Sequence, residues 1–413
     1  MSNRFSANAK VLQRIDGILV PALCAALTLV RKALDCCRAR RADGEPRSIL
    51  FLKLAEQGST VLAYEAVKRA TDRVGRENVF FLLFEENRFI LDALDLVPQE
   101  NVITIRTQSA LTMALSAARR LWQIRRRKID AVIDMEFFAR SSAVLSYLTG
   151  CPLRVGFHTW FGEGPYRGDL FTHRVMYNAH LHTAQMFVSL VAALEQAPAT
   201  FPTYGFVPPP AVELPRFTPS AAEITAAQQL LDRVIGSAPR RLILLNANAS
   251  DLLPFRRWEP GNYVALAKQL LATFDDLSIV FTGAPDEAAK IGDLARQIGG
   301  DRVFCLAGQT TLRQLLIIYG LAEVLVTNDS GPAHFAALTP VDTVVLFGPE
   351  TPLLFGALTP RNHNLWARAA CSPCVNAWNN RQTACRDNVC MQLISVNQVF
   401  ETVCQVYQKR TGR

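Results

Sequence analysis

The residues best suited to chemistry stand together in one short segment, Asn328-Asp329-Ser330-Gly331-Pro332-Ala333-His334. The segment follows an apolar run at residues 324–327, its first four residues favour a turn, and Pro332 suits the first position of a helix. Free backbone N–H groups at a helix start, with a hydroxyl and an imidazole beside them, can bind an anion such as a phosphate. An ordinary capped turn uses the same residue types, so this segment alone leaves anion binding and simple capping open.

Two carboxylates elsewhere in the chain could accept a proton from a reacting hydroxyl. Glu136 follows the apolar run at residues 131–134, and Glu56 lies in the turn Leu54-Ala55-Glu56-Gln57-Gly58-Ser59-Thr60. A carboxylate at the end of a strand is a common general base, although either residue could equally be a solvated or capping carboxylate. We place Glu136 first and Glu56 second as candidate bases.

These residues fall at the ends of short apolar runs that alternate with amphipathic stretches, a pattern typical of parallel strands joined by helices. The predicted strands are 49–54, 79–84, 102–105 and 131–134, then 242–246, 278–282, 303–306, 324–327 and 343–347. The predicted helices include 59–72, 109–126, 261–274, 312–321 and 395–408. Ligands of doubly wound sheets bind beyond the carboxyl ends of the strands, where the candidate residues stand.

The alternation is interrupted by a proline-rich stretch, because consecutive prolines cannot continue a helix or an interior strand. We therefore predict a Pro-rich linker at residues 201–220 between two doubly wound domains, 45–200 and 221–392. Residues 1–44 are predicted to be a separate amphipathic segment, and residues 393–413 a C-terminal helix. The chain of 413 residues is long enough for two cores.

The start of the chain suggests contact with a membrane surface. An apolar run at residues 17–30 is too short to span a bilayer, and basic residues flank it at Arg14, Arg31, Lys32, Arg38, Arg40 and Arg41. A helix packed on the protein itself is the alternative. The net charge of +8 favours an anionic partner, and because aromatic and basic residues are not interleaved we expect no nucleic acid.

Cysteine and histidine patterns remain ambiguous. The spacing of Cys371, Cys374, Cys385 and Cys390 is compatible with a structural zinc site, with free buried thiols as the alternative. The histidines His158, His173, His180 and His182 are interpreted as polar loop groups that could shape an acceptor site.

Several motifs together resemble the signature of the family-nine glycosyltransferases, the group that contains the lipopolysaccharide heptosyltransferases. They are Asn328 to His334 with Val344-Val345-Leu346-Phe347-Gly348-Pro349 and Thr351-Pro352, Asn246-Ala247-Asn248-Ala249 with Arg256-Arg257-Trp258, Gly283-Ala284-Pro285-Asp286-Glu287, Ile133-Asp134 with Arg140-Ser141, and Gly150 with Arg154-Val155-Gly156-Phe157. The likeness covers residues 48–400 and implies an α/β GT-B fold, in which two Rossmann-like domains face each other across a cleft.

The resemblance also implies roles for individual residues. The donor-binding residues would be Arg256 on the diphosphate, Glu287 on the ribose, and Asn328, Asp329, Ser330, Gly331 and His334 around the phosphates and the sugar. The resemblance implies that catalysis requires neither a metal nor a cofactor. The family's base is usually an Asp directly after the glycine of the first turn, where this chain has Ser59.

The expected function is therefore that of an inverting, metal-independent glycosyltransferase. It would move a sugar, such as a heptose, from a nucleoside-diphosphate donor to a lipopolysaccharide or other envelope glycan, or to a lipid-linked acceptor. Its expected location is cytoplasmic, peripherally attached to the inner face of the cytoplasmic membrane. Two alternatives are a membrane-associated nucleotide-sugar-binding protein without turnover and a GT-B nucleotide-sugar epimerase.

Overall fold

A computed structural model describes residues 16–37, 45–162, 164–212, 214–236, 238–249, 253–379 and 381–412. The chain divides into two compact units. The N-terminal unit consists of Ser2–Val212 and Asn376–Gln382, and the C-terminal unit consists of Glu213–Val375 and Thr383–Arg413. The short segment Asn376–Gln382 is thus part of the N-terminal unit although it lies late in the sequence.

The N-terminal unit contains a six-stranded parallel sheet with strand order β3-β2-β1-β4-β5-β6. The strands are β1 (Ile49–Leu52), β2 (Val79–Phe84), β3 (Val102–Ile105), β4 (Ala131–Asp134), β5 (Leu153–His158) and β6 (His173–Met176). The helices are α1 (Val20–Cys37), α2 (Gln57–Leu62), α3 (Tyr64–Val74), α4 (Arg88–Leu94), α5 (Ala110–Arg127), α6 (Arg140–Leu148) and α7 (Thr183–Ala192). The order reverses between β1 and β4, the position at which doubly wound sheets form their ligand crevice.

The C-terminal unit repeats this plan with the parallel strand order β12-β11-β10-β7-β8-β9. Its strands are β7 (Arg241–Asn246), β8 (Leu277–Phe281), β9 (Val303–Cys305), β10 (Val324–Asn328), β11 (Asp342–Phe347) and β12 (Asn362–Trp366). Its helices are α8 (Ala221–Ile235), α9 (Pro260–Thr273), α10 (Ala288–Ile298), α11 (Leu312–Leu321), α12 (Gly331–Ala336), α13 (Pro352–Phe355), α14 (Val389–Gln392) and α15 (Val396–Thr411). The switch point here lies between β7 and β10.

The predicted α/β fold class, with two Rossmann-like sheets, is confirmed. Each predicted strand is present, with ends that differ from the expected ones by at most two residues. The predicted helix at 59–72 is instead two helices, α2 and α3, that meet at Ala63. The sequence analysis did not predict β5, β6 and β12 as strands.

The interpretation of the histidines as loop groups is wrong for two of them. His158 ends β5 and His173 begins β6. His173 is buried, and its Nε2 lies 3.0 Å from the carbonyl oxygen of Gln196. Burial lowers the pKa of His173, because it penalises the charged imidazolium. His182 caps the start of α7, where its Nδ1 accepts a hydrogen bond from the backbone of Ala184.

The N-terminal helix α1 packs on the protein with one face and leaves an apolar face exposed. Val20 and Cys24 are buried against Ala143 and Val144 of α6. The exposed apolar residues of this segment are Ile18, Leu19, Leu23, Leu29, Val30 and Leu34. Of the basic flank, Arg14, Arg38, Arg40 and Arg41 lie outside the described residues. Among the described helices, none has the length and apolarity needed to cross a membrane.

Candidate functional site

A buried lysine organises the carboxyl edge of the N-terminal sheet. Lys53 directly follows β1, and its fully buried Nζ donates to the carbonyl of Ala55 at 2.7 Å. The same Nζ lies 3.1 Å from both carboxylate oxygens of Glu136. Burial lowers the pKa of Lys53, and the neighbouring Glu136 charge opposes that shift.

The carboxylate of Glu136, the first candidate base, accepts several hydrogen bonds. Its Oε1 accepts hydrogen bonds from the backbone N–H groups of Leu54 at 2.8 Å and Ala55 at 3.0 Å. Its own N–H donates to Asp134, whose other oxygen is engaged by Ser142 and Arg167. Since both Glu136 oxygens already receive donors, its carboxylate fixes the turn after β1 to the end of β4.

Glu56, the second candidate, has a more accessible carboxylate, with 33% of its side chain exposed against 12% for Glu136. Its backbone is left-handed, with φ 68° and ψ 83°, directly before α2. A non-glycine residue in this region costs energy and is common at functional sites. Glu56 Oε2 lies 3.3 Å from the hydroxyl of Ser59 and 3.8 Å from Lys53 Nζ.

The segment Asn376–Gln382 supplies further side chains to this edge of the N-terminal unit. Arg381 forms an ion pair with Glu56, and its guanidinium carbon lies 5.7 Å from the ring centre of Phe137. Trp378 packs edge-on against Tyr177 at 5.4 Å between ring centres. Sequence reasoning missed Lys53, which lies within the predicted strand 49–54, and Arg381, whose partner Glu56 lies far away in the sequence.

In the C-terminal unit, Arg256 stands between two buried carboxyl groups. Arg256 Nη1 lies 3.6 Å from Asp329 Oδ2 and 3.3 Å from Glu350 Oε2. Arg256 ends a short 3-10 turn after β7, Asp329 follows β10, and Glu350 follows β11. All three therefore gather at the carboxyl ends of adjacent strands, as the topology requires.

Asn328 plays a mainly architectural part in this arrangement. Its Oδ1 accepts from the backbone N–H of Trp258 at 2.9 Å, and its Nδ2 donates to the carbonyl of Asn248 at 3.2 Å. Trp258 is itself buried and donates its indole N–H to Ile394. These bonds tie the loop after β7 to the end of β10, and so they position Arg256 beside Asp329.

The remaining predicted donor residues lie around the same strand end or one strand away. The hydroxyl of Ser330 donates to the carbonyl of Asn328 at 3.1 Å, and Gly331 opens the six-residue helix α12, on which His334 is buried. A Cβ on Gly331 would approach the ring of Phe335 to 3.2 Å. Glu287, after β8, accepts from the backbone N–H of Ala284 at 2.8 Å and so closes its own turn.

Glu350 was missed by the sequence analysis, although it lies between the two parts of a motif used there, Gly348-Pro349 and Thr351-Pro352. Burial raises the pKa of Glu350 to about 8, with the Asp329 charge adding to the shift and Arg256 opposing it. A single glutamate in a turn carries no sequence signal of burial. Its significance comes from the two neighbours that the fold places beside it.

Two pairs of cysteines lie before and after Asn376–Gln382 in the sequence: Cys371 with Cys374, and Cys385 with Cys390. Of these cysteines, Cys371 is exposed, Cys374 and Cys385 are partly buried, and Cys390 is buried. In the part of the chain that the structure describes, no three metal-ligating side chains are arranged to hold an ion. A structural zinc site and free buried thiols are still the two interpretations of this cysteine spacing.

Comparison with known proteins shows the family to which this chain is similar. The model of glycosyltransferase family 9 (heptosyltransferase) matches residues 118–384, more than half of the chain. Lipopolysaccharide heptosyltransferase 2 of Salmonella typhimurium is 37% identical over 101 residues, which are 24% of this chain and 29% of that protein. Lipooligosaccharide heptosyltransferase 2 of Campylobacter jejuni is 27% identical over 171 residues, 39% of this chain and 50% of that protein. The matched segments thus span half or less of these relatives.

Solved structures extend the similarity in fold. The ADP-heptose lipopolysaccharide heptosyltransferase II of Escherichia coli superposes with a TM-score of 0.67 at 18% identity, covering 88% of this chain and 99% of that one. Escherichia coli heptosyltransferase WaaC, solved with ADP, gives a TM-score of 0.59 at 16% identity, covering 87% and 99%. Together with the family match over residues 118–384, the paired sheets place this chain in glycosyltransferase family 9, the heptosyltransferase family.

Proposed function

We propose that this protein is a glycosyltransferase of lipopolysaccharide biosynthesis that transfers a sugar from a nucleoside-diphosphate donor to an envelope glycan. The observation that carries the proposal is Arg256, which is largely buried beside Asp329 at the carboxyl edge of the C-terminal sheet. A guanidinium at that position suits a diphosphate because arginine pairs with phosphate oxygens through two parallel hydrogen bonds. ADP-heptose is the donor we favour, since it is named for two structural relatives, one directly and one as its 2-fluoro analogue.

In this proposal the C-terminal unit binds the donor. Arg256 meets the diphosphate, and the turn Ser330–Gly331 with His334 contacts the phosphates and the sugar. Glu287 binds the ribose through the carboxylate oxygen that does not close its own turn. As the bond between the anomeric carbon and the diphosphate oxygen breaks, negative charge grows on the leaving group, and Arg256 stabilises it.

The N-terminal unit supplies the general base. Of the two candidates we now favour Glu56, because 33% of its side chain is exposed against 12% for Glu136. The partners of Glu56, Arg381 and Ser59, are side chains, whereas Glu136 also accepts from two backbone N–H groups. Glu56 takes the proton of the acceptor hydroxyl while the oxygen attacks the anomeric carbon, which inverts its configuration. The family's aspartate is replaced by Ser59, and the carboxylate oxygen that lies 3.3 Å from the Ser59 hydroxyl belongs to Glu56. A carboxylate from three residues earlier thus occupies the neighbourhood of the missing one.

The alternative of a binding protein without turnover draws on the same substitution, Ser59. It predicts that the protein binds a nucleoside diphosphate but releases none from a nucleotide sugar. Calorimetry against ADP, UDP and GDP, followed by a transfer assay with ADP-heptose and heptose-deficient lipopolysaccharide, distinguishes the two. Binding with product formation supports the transferase, and binding without product for every donor and acceptor pair supports the alternative.

We further propose peripheral attachment to the inner face of the cytoplasmic membrane through the N-terminal helix. Leu23, Val30 and Leu34 of α1, with Leu19 just before it, are exposed and are spaced along one side of the helix, next to the face that contacts α6. Helices of this kind bury their apolar face at the boundary between headgroups and acyl chains. Arg31, on the same helix, is instead paired with Asp35 and Asp169 within the protein.

A second helix of the N-terminal unit, α5, also exposes apolar side chains. Leu111, Leu115 and Trp122 of α5 are exposed and spaced by four and seven residues, so they form one stripe. Arg126 stacks on Trp122 at 3.8 Å, and the last turn of α5 carries three arginines in succession. Tryptophan beside basic residues is typical of a surface that contacts anionic headgroups. Both α1 and α5 pack beside α6, which contributes to the apolar clusters of each.

A further inference from the structure

Two buried carboxyl groups share one arginine in the C-terminal unit. Glu350 and Asp329 have 2% and 3% of their side chains exposed, and Arg256 Nη1 lies 3.3 Å from the first and 3.6 Å from the second. If both carboxyl groups were ionised, the three groups would carry a net negative charge away from water. Such a charge is costly inside a protein and would repel an incoming diphosphate.

A proton between the carboxyl groups removes that excess charge. The side chains of Glu350 and Asp329 are within hydrogen-bonding reach of each other, and two carboxyl groups can make such a bond only if one is protonated. Among the described residues, Asp329 Oδ2 is buried and receives no hydrogen bond from a nitrogen or hydroxyl donor. Burial raises the pKa of Glu350 to about 8, and the Asp329 charge adds to the shift, so the proton leaves only at an elevated pH.

This inference rests on the proposed donor site and extends it to one more residue. We propose that Glu350 is a donor-site residue that holds one proton jointly with Asp329 over Arg256. A nucleoside diphosphate then meets a neutral triad in place of an anionic one. Glu350 acts through Arg256 and Asp329, so it is a positioning residue and not a catalytic one.

Other titratable groups lie near this triad and must be told apart from it. Cys374 donates its backbone N–H to Pro349, next to Glu350, and the thiol of Cys390 lies beside Gly348. His334 lies on the helix that follows Asp329. A variant that changes Glu350 alone keeps all three, so any pH effect that they cause persists in it.

The test measures the affinity for ADP by calorimetry between pH 7.5 and 9.5, where the terminal phosphate of ADP is already fully ionised. In the full-length wild-type protein we expect the Kd to rise by about tenfold for each pH unit above about 8, the signature of one required proton. Glu350→Gln imitates the neutral carboxyl, so its Kd should change by less than about twofold between pH 7.5 and pH 9.5. Glu350→Asp, which keeps a carboxyl group, should retain a pH dependence.

Two results would overturn the proposal. One is a parallel rise of Kd with pH in the wild type and in Glu350→Gln, which assigns the proton to His334 or a thiol. The other is loss of ADP binding by a folded Glu350→Gln protein at pH 7.5, which shows that the charge of Glu350 is needed.

A second measurement separates this inference from the proposed function. The shared proton exists without nucleotide, and a carboxyl group whose pKa is raised by folding lowers the stability as pH rises from about 4.5 to 8. The Tm of nucleotide-free Glu350→Gln should therefore exceed that of the wild type by about 3 °C or more at pH 8.5, and the gain should be smaller at pH 5.5. If that gain appears but none of ADP, UDP and GDP binds, the shared proton stands and the donor site fails. A gain that is equal at both pH values contradicts the shared proton.

Discussion

Lys53 and Glu136 form a buried ion pair at the carboxyl edge of the N-terminal sheet, with Nζ 3.1 Å from both carboxylate oxygens. We predict that Glu136→Ala lowers the free energy of unfolding by about 3–5 kcal/mol, because it leaves the ammonium of Lys53 buried without its partner. Urea unfolding followed by circular dichroism measures the change. Glu100→Ala, at an exposed glutamate of the same unit, is the matched control and should stay within about 0.5 kcal/mol. A Glu136→Ala protein as stable as this control would show that the pair contributes nothing.

Glu56 should behave differently, affecting the reaction rate more than the stability, because glutamine keeps an oxygen that can accept from Ser59 and Arg381. We predict that Glu56→Gln lowers the rate of sugar transfer by about 10²–10⁴-fold, the usual range for loss of a general base. The same substitution at Glu85, an exposed residue directly after β2, is the control and should leave the rate unchanged. Adding Ser59→Asp to Glu56→Gln should restore part of the rate, since the two side chains occupy the same neighbourhood. Full activity of Glu56→Gln alone would exclude Glu56 as the base.

Local sequence patterns predict the strands of this fold, but they do not predict contacts between distant segments. Apolar runs with polar ends indicate strands reliably. The nine strands could therefore be predicted from the sequence, together with the location of Glu56, Asp329 and Glu136 just after a strand. The strand β12 could not, because its first three residues, Asn362, His363 and Asn364, are polar, and it is the edge strand of the sheet. Contacts between distant segments were also out of reach. The pairing of Arg381 with Glu56, and of Glu350 with Arg256, depends on tertiary packing that leaves no trace in local sequence.

Arg256 provides a direct test of the donor site. We predict that Arg256→Ala raises the Kd for ADP by about 10- to 100-fold, since hydrogen bonds to charged groups contribute roughly 1.5–3 kcal/mol. Arg256→Lys should be intermediate, because lysine keeps the charge and loses the two-pronged geometry. Arg296→Ala removes an exposed arginine of the same unit and controls for net charge. Calorimetry near pH 7.5 checks the series, and equal Kd values for Arg256→Ala and Arg296→Ala would remove Arg256 from the site.

Membrane attachment through α1 is best tested with substitutions on its exposed face. Deletion of the helix would uncover Ala143 and Val144 of α6, and a loss of binding could then reflect unfolding. We predict that Leu23→Ser with Val30→Ser lowers partitioning onto phosphatidylcholine vesicles containing 30% phosphatidylglycerol by about tenfold or more, because two apolar side chains no longer enter the membrane. Thermal unfolding should be unchanged. Unaltered sedimentation with the vesicles would contradict a role for this face.

The stripe on α5 makes a separate prediction, because three successive arginines end the helix that carries it and add an electrostatic component. Leu115→Ser with Trp122→Ser should lower vesicle binding by about tenfold or more, and Arg126→Gln should weaken it chiefly at low salt, where screening is least. Leu353→Ser, an exposed leucine of the C-terminal unit, is the matched control. If wild-type binding is the same on vesicles with and without phosphatidylglycerol, the arginines of α5 do not face the membrane. If binding needs the anionic lipid and is lost in the α5 variants but not in Leu353→Ser, the N-terminal unit attaches through α5, and the acceptor glycan is delivered from the membrane surface to the unit that carries Glu56.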